Sequence, residues 1–131
     1  MALYKKALAM GSDWEGAIAL LDQALAVQPE NSQILTAKIG ALLQMGRWED
    51  AVATSDALVK TDPSSPSFWL VKIACLQSPE TILEVLNEAI SINPMSVPLH
   101  LRKVQQLIAM NRNEEAEKVS NIIDLFSSFL T

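Results

Sequence analysis

The 131-residue chain is half apolar and carries ten basic against fifteen acidic side chains, for a net charge of −5. With no Lys/Arg cluster it lacks the electrostatic footprint of a nucleic-acid binder, and an anionic membrane surface is disfavoured as well. No apolar run reaches the roughly 18–20 residues of a bilayer span, and the opening Met1-Ala2-Leu3-Tyr4-Lys5-Lys6 lacks the apolar stretch of a signal peptide, which points to a cytoplasmic chain.

Aromatic residues make up 5% of the chain while Ala and Leu dominate, so helices are favoured over strands. Apolar positions recurring at three- and four-residue steps on both sides of turn signals predict helices over 2–10, 13–27, 31–44, 48–60, 65–77, 79–92, 96–110 and 113–130. The start is abrupt, with Met1 inside the first of these. The second opens on Ser12-x-x-Glu15, a capping box in which hydroxyl and carboxylate each satisfy an orphan N–H, and Pro29 closes it. The third carries Leu35-x-x-Lys38-Ile39-x-x-Leu42 and leads through Met45-Gly46-Arg47 to Trp48, while Pro63 closes the fourth. The fifth carries Trp69-x-x-Lys72-Ile73-x-x-Leu76. After it, Ser78, Pro79 and Glu80 offer an N-cap, a first-turn proline and an acid matched to the helix dipole. Pro94 closes the sixth, and the seventh carries His100-x-x-Lys103-Val104-x-x-Leu107. The eighth opens on Asn113-Glu114-Glu115, whose acids again suit a helix N-terminus.

Two residue series expose an internal repeat. Trp14/Trp48, Glu15/Glu49, Ala17/Ala51, Asp22/Asp56 and Pro29/Pro63 coincide at an offset of 34 residues. The Leu35 and Trp69 patterns are also 34 apart, whereas the step from Trp69 to His100 is 31. Three residues are therefore missing between Leu76 and Pro94, where Gln77-Ser78-Pro79-Glu80 replaces the longer turn of Met45-Gly46-Arg47-Trp48. The tally is one domain over 1–131 built of four units, approximately 1–29, 30–63, 64–94 and 95–131. Connections this short make consecutive helices antiparallel neighbours, and stacked hairpins make a solenoid.

These residues resemble the tetratricopeptide repeat family, whose unit is about 34 residues long. The match is good on the second helix of each unit, at Ala17, Leu21, Ala24 and Pro29, then Ala51 and Pro63, then Ala89 and Pro94, then Ala116. The resemblance implies an all-α fold, a right-handed superhelical α-solenoid of about four antiparallel helix hairpins. The first helix departs from the pattern, with Lys38, Lys72 and Lys103 where the family usually has Leu, and Ile39, Ile73 and Val104 where it usually has Gly. The neighbouring Gly40 and Ala74 are candidates for the close-contact role, although the fourth unit has Gln105 there. For the repeated lysines, methylenes laid along an apolar seam are the leading reading. An ion pair with Asp22, Asp56 or Glu88 comes second and ligand contact third.

Catalytic chemistry is not expected. His100 and Cys75 are the only histidine and the only cysteine, which leaves no zinc cluster and no second imidazole for a relay. Both read as packing residues, Cys75 within the apolar run Ile73-Ala74-Cys75-Leu76 and His100 aligned with Leu35 and Trp69. Gly11, Gly16, Gly40 and Gly46 read as turn or close-packing glycines and form no phosphate loop. Trp14 and Trp48 are expected to pack against a neighbouring hairpin. No catalytic residue, metal or cofactor is therefore assigned.

By the resemblance, the first helices line a concave surface that receives partner segments, with outward positions Thr36, Gly40, Leu43, Gln44, Arg47, Leu70, Val71, Ala74, Gln77, Leu101, Gln105 and Ile108. The set is apolar and dotted with amides. It lacks the paired Lys, Asn and Arg with which chaperone-binding members of the family clamp a C-terminal carboxylate, and it suits an amphipathic helix or an extended apolar segment. On the eighth helix Ala116, Val119, Ile122, Ile123, Phe126, Phe129 and Leu130 form an apolar stripe, of which Ile122, Ile123, Phe126, Phe129 and Leu130 are a candidate end-to-end or oligomer surface. The expected function is a non-catalytic protein–protein interaction module: an adaptor, chaperone or assembly factor. The alternatives are a self-assembling structural spacer joined through apolar ends, or the repeat portion of a larger enzyme such as a transferase.

Overall fold

A computed structural model describes residues 13–130, except for the side chains of Phe129 and Leu130. Among the described residues there are seven helices and no strand: α1 (Trp14–Val27), α2 (Ser32–Gln44), α3 (Trp48–Thr61), α4 (Pro66–Cys75), α5 (Pro79–Ile92), α6 (Val97–Ala109) and α7 (Asn113–Leu130). The helix expected over 2–10, Gly11 and Ser12 lie outside the described residues. The chain divides into two compact units, one ending at Asp62 and the other starting at Pro63.

In the N-terminal unit α1 packs on α2, and α2 on α3. The first cap is Asp13, whose carboxylate accepts the Gly16 N–H at 3.1 Å. With Asp13 as the N-cap, Glu15 stands at the second helical position; the expected cap, Ser12, lies outside the described residues. Asn31 caps α2 twice, accepting from the N–H groups of Gln33 and Ile34 at 3.0 and 3.1 Å. Ala17, Leu21, Ala24 and Ile34 form the shared core of α1 and α2, all buried, and small alanines let the two backbones approach. Burying a side chain such as Leu21 contributes roughly 1.5–3 kcal/mol. Helix α2 ends through Gly46, whose φ of +70° is left-handed. The Gly46 N–H donates to Leu43 O at 3.1 Å and the Arg47 N–H to Leu42 O at 2.9 Å, which satisfies carbonyls the helix would leave bare.

In the C-terminal unit α4 packs on α5, α5 on α6, α6 on α7, and α4 also touches α6. The missing residues come out of the end of α4, which has 10 residues where α2 and α6 have 13, while the turn that follows each of these helices keeps the same length. Helix α4 stops at Cys75, two residues short of the expected 77, because Leu76 turns extended with ψ 146°. Ser78 then caps α5 with Pro79 in its first turn. The α6–α7 turn repeats the left-handed form of the α2–α3 turn. Asn111 takes φ 59°, and the Arg112 N–H donates to Leu107 O at 2.8 Å, as Arg47 does to Leu42. Leu83, Leu107, Ala116 and Val119 make the core of this end, with Val104, Met110 and Ile123 packed against it.

The close-contact role falls elsewhere than on Gly40 and Ala74. Both are exposed, and a Cβ at Gly40 would meet nothing within 4 Å. The small residues turned inward are the next ones along, Ala41 at 3% exposure and Cys75 at 1%, with Gln106 taking the same place in the fourth repeat at 6%.

Candidate protein-interaction surface

The leading helix of each repeat keeps one side in the core and leaves the other open. On α2, Ile34, Leu35, Ile39, Ala41 and Leu42 are buried, while Thr36, Gly40 and Gln44 are exposed, Leu43 is half-buried, and Arg47 follows exposed at the turn. On α4, Leu70 and Val71 are half-buried, and Ala74 and Gln77 are exposed. On α6 the face is most open. Leu101, Gln105 and Ile108 stand four and three residues apart, a spacing that brings them to one stripe, and Leu101 and Ile108 are 48% and 54% exposed. Two large aliphatic side chains half in water on one helix side make an apolar patch with a single amide between them.

The repeated lysines do not join these faces as a ladder. The Lys38 ammonium pairs with Asp22 of α1 at 2.7 Å, so the ion pair placed second in the sequence reading is the one formed there. At this exposure it is worth about 0–1 kcal/mol. Lys72 Nζ stands 5.7 Å from the centroid of the Trp69 ring, a cation–π distance. Lys103 is half-buried.

His100 is 6% exposed, and its Nε2 lies 2.8 Å from Pro94 O. A carbonyl only accepts, so the proton sits on Nε2. Nδ1 is buried without a hydrogen-bond partner, and the Phe126 ring meets the imidazole edge-on at 5.3 Å and 64°. The arrangement is packing around one hydrogen bond. Trp69 does the same, its Nε1 donating to Pro63 O at 2.7 Å, and Asn93 Nδ2 donates to that oxygen at 3.1 Å. The sequence reading did not pick out Asn93 or this proline–ring bond; the constant six-residue spacing of Pro63–Trp69 and Pro94–His100 is the signal that carries it.

Several other candidates fall into place. Cys75 is buried, and its Sγ donates to Val71 O at 3.3 Å. Trp48 is 40% exposed beside its own turn, lining a shallow depression with Gly46, Arg47, Glu49 and Asp50, rather than packed away against another hairpin. The apolar stripe of α7 divides. Ala116 and Val119 are buried, Ile123 and Phe126 are half-buried with contacts to the core and to His100, and Ile122 is 39% exposed. Leu125, absent from the expected surface, is 62% exposed. The side chains of Phe129 and Leu130 lie outside the described residues.

The turns carry a repeated electrostatic feature. Arg47 Nε and Nη2 both donate to Asp50 Oδ2, at 2.9 and 2.6 Å. Arg112 Nε and Nη2 donate to the two carboxylate oxygens of Glu115 at 2.8 and 2.7 Å. That hydrogen-bonded fork holds the Glu115 carboxyl below the usual glutamate range. Among the described residues no group of three or more His, Cys, Asp or Glu could hold a metal, and no helix is long and apolar enough to cross a membrane.

A family model described as tetratricopeptide repeat matches residues 7–73, just over half of the chain. No curated protein matches the sequence. Among solved structures, a MamA double mutant (RS-1 ArsTM) is similar at TM-score 0.70 and 16% identity over 98% of this chain and 75% of that one. MamA from residue 41 to its end, from Desulfovibrio magneticus RS-1, is similar at TM-score 0.70 and 16% identity over 96% and 74%. TTC0263, a thermophilic TPR protein in Thermus thermophilus, is similar at TM-score 0.62 and 18% identity over 97% and 74%. At these identities the likeness is one of fold: an all-α helical repeat.

Proposed function

Because the chain belongs to the tetratricopeptide repeat family, a family of protein-interaction modules, we propose that it works without catalysis as an adaptor, chaperone or assembly factor. It holds a partner segment on the open sides of its leading helices. The observation that carries this reading is the α6 stripe, where Leu101 and Ile108 stay about half in water. Apolar side chains held in register on a rigid helix face present a ready site for the apolar side of a partner helix or an extended segment. Thr36, Gly40, Leu43, Gln44 and Arg47 extend the candidate set on the N-terminal unit, and Leu70, Val71, Ala74 and Gln77 extend it on α4.

The test is capture of partners by the chain, identified by mass spectrometry, with Leu101→Glu and Ile108→Glu made together. Both side chains already meet water, so the helical circular dichroism of the variant stays that of the parent. The expected result is loss of the main captured proteins; the same proteins captured in the same amounts would remove α6 from the binding surface.

A further inference from the structure

We propose that the α2–α3 turn is a recognition site in its own right, which takes an extended, proline-rich segment carrying a basic residue. The surface is a different one from the α6 stripe, and the two stand or fall separately.

The fold does not require a tryptophan at position 48. The α6–α7 turn has the same left-handed residue, the same carbonyl bonds and the same arginine–carboxylate fork, and there the equivalent residue is Asn113. Trp69 shows how this chain uses an indole for packing: it is 3% exposed and gives its N–H to Pro63 O. Trp48 differs on both counts. It is 40% exposed, and among the described residues nothing accepts a hydrogen bond from its Nε1. A ring held half in water with a free donor has the character of an interface anchor, since it offers a broad apolar face and one directed hydrogen bond.

The surroundings of the ring specify what it would hold. A Cβ at position 46 would stand 4.0 Å from Trp48 Nε1, so the bare glycine leaves that edge open to the main chain of a partner. Arg47 gives Nε and Nη2 to Asp50 Oδ2, which fixes the guanidinium and leaves Nη1 spare. These side chains line one shallow depression of about 350 Å³. Two N–H donors beside an indole face call for bare carbonyl oxygens and flat apolar rings. A helix spends its carbonyls on its own bonds, and a strand needs a sheet edge, which the described residues lack. A polyproline II segment leaves its carbonyls free and lays proline rings on aromatic side chains. Charge adds the basic residue. Arg47 and Asp50 offset each other, whereas Glu49 is exposed with no ion pair, so the rim of the depression is left negative.

The experiment uses the full chain and a short synthetic oligoproline peptide with one central arginine, followed by fluorescence anisotropy and by the Trp48 indole N–H resonance. Two control peptides replace the prolines by alanine or the arginine by glutamate. The first peptide is expected to bind and to move the Trp48 resonance, and both controls to bind about tenfold more weakly at low salt. Trp48→Ala weakens binding by about thirtyfold or more, and Trp48→Phe, which keeps a ring but no N–H, by about threefold to tenfold. Position 48 already meets water, so the circular dichroism of both variants stays that of the parent. No binding, equal binding of the alanine or glutamate peptide, or binding indifferent to Trp48→Ala would overturn the proposal. So would loss of the peptide in the Leu101→Glu, Ile108→Glu variant, which would place it on α6 instead.

Discussion

Trp69 and His100 hold the same place in consecutive repeats, and each puts a ring nitrogen against the carbonyl of the proline six residues earlier, at 2.7 Å from Pro63 O and 2.8 Å from Pro94 O. The indole has one polar atom, and this bond uses it. Imidazole has two, and Nδ1 is left buried with no partner while Phe126 lies against the ring. Leu35, the counterpart after Pro29, fills the place with no donor at all and is 4% exposed. The position therefore needs a large buried side chain first and an N–H second. The fourth repeat meets both needs at the cost of an orphan nitrogen, a penalty of about 1–3 kcal/mol.

The two rings should therefore respond differently to the same substitution. Trp69→Phe removes the donor to Pro63 O and leaves a gap beside it, and is expected to cost about 1–3 kcal/mol. His100→Phe removes one hydrogen bond and one buried unsatisfied nitrogen together, so its net effect stays within about 1 kcal/mol. Urea unfolding of both variants measures the difference. A His100→Phe loss equal to that of Trp69→Phe would mean that Nδ1 is satisfied in solution.

Much of this fold was legible because an offset of 34 residues is arithmetic, and the break to 31 located the deletion before Ser78, although it falls in the end of α4 and not in the turn. What periodicity could not decide was helix rotation. Ile39-Gly40-Ala41 offers two neighbouring small residues about 100° apart around the axis, and only packing shows that Ala41 turns inward. Steps of 34 and 31 residues link Ala41 to Cys75 and Gln106, so the information lay in the sequence, but family habit pointed to the residue before. Asp13 and Ser12 are both good caps, and composition does not rank them. Lys38 found Asp22 through α1–α2 packing, a contact sixteen residues apart that no local rule fixes. On α7, three- and four-residue steps join Ile122 to Phe126 and Phe126 to Ile123, although Ile122 and Ile123 are about 100° apart around the axis. Leu125, three residues from Ile122, is the most exposed apolar side chain of the four, and the stripe drawn through Ile123 and Phe126 passes it by.

The two left-handed turns extend the comparison at a smaller scale. Gly46 and Asn111 are equivalent and both left-handed, with φ 70° and 59°. A Cβ at Gly46 would come no nearer than 4.0 Å, to Trp48 Nε1, so Gly46→Ala meets no clash and its cost is the backbone conformation alone, about 1 kcal/mol. Asn111→Gly relaxes the backbone but loosens the unfolded chain, so the change stays within about 0.5 kcal/mol. Thermal melts of both variants would rank them. A larger loss at Asn111 than at Gly46 would show that the asparagine side chain, not its φ, holds that turn.

The smallest effect belongs to the forks that follow those turns. Arg112 donates two hydrogen bonds to Glu115, which lowers the carboxyl's pKa in the folded chain. A carboxylate lowered on folding adds stability at pH values above its unfolded pKa, and that contribution disappears as pH falls through the folded value. The contribution is therefore whole at neutral pH and lost only in acid. The pair is exposed and screened by salt, so the readout is titration rather than unfolding. A carbon-detected NMR titration should find the Glu115 midpoint below the usual glutamate range, and Arg112→Gln should return it there. A midpoint that does not move in Arg112→Gln would assign the shift to the helix N-terminus instead of the fork, and the likeness between the two turns would then be one of backbone alone.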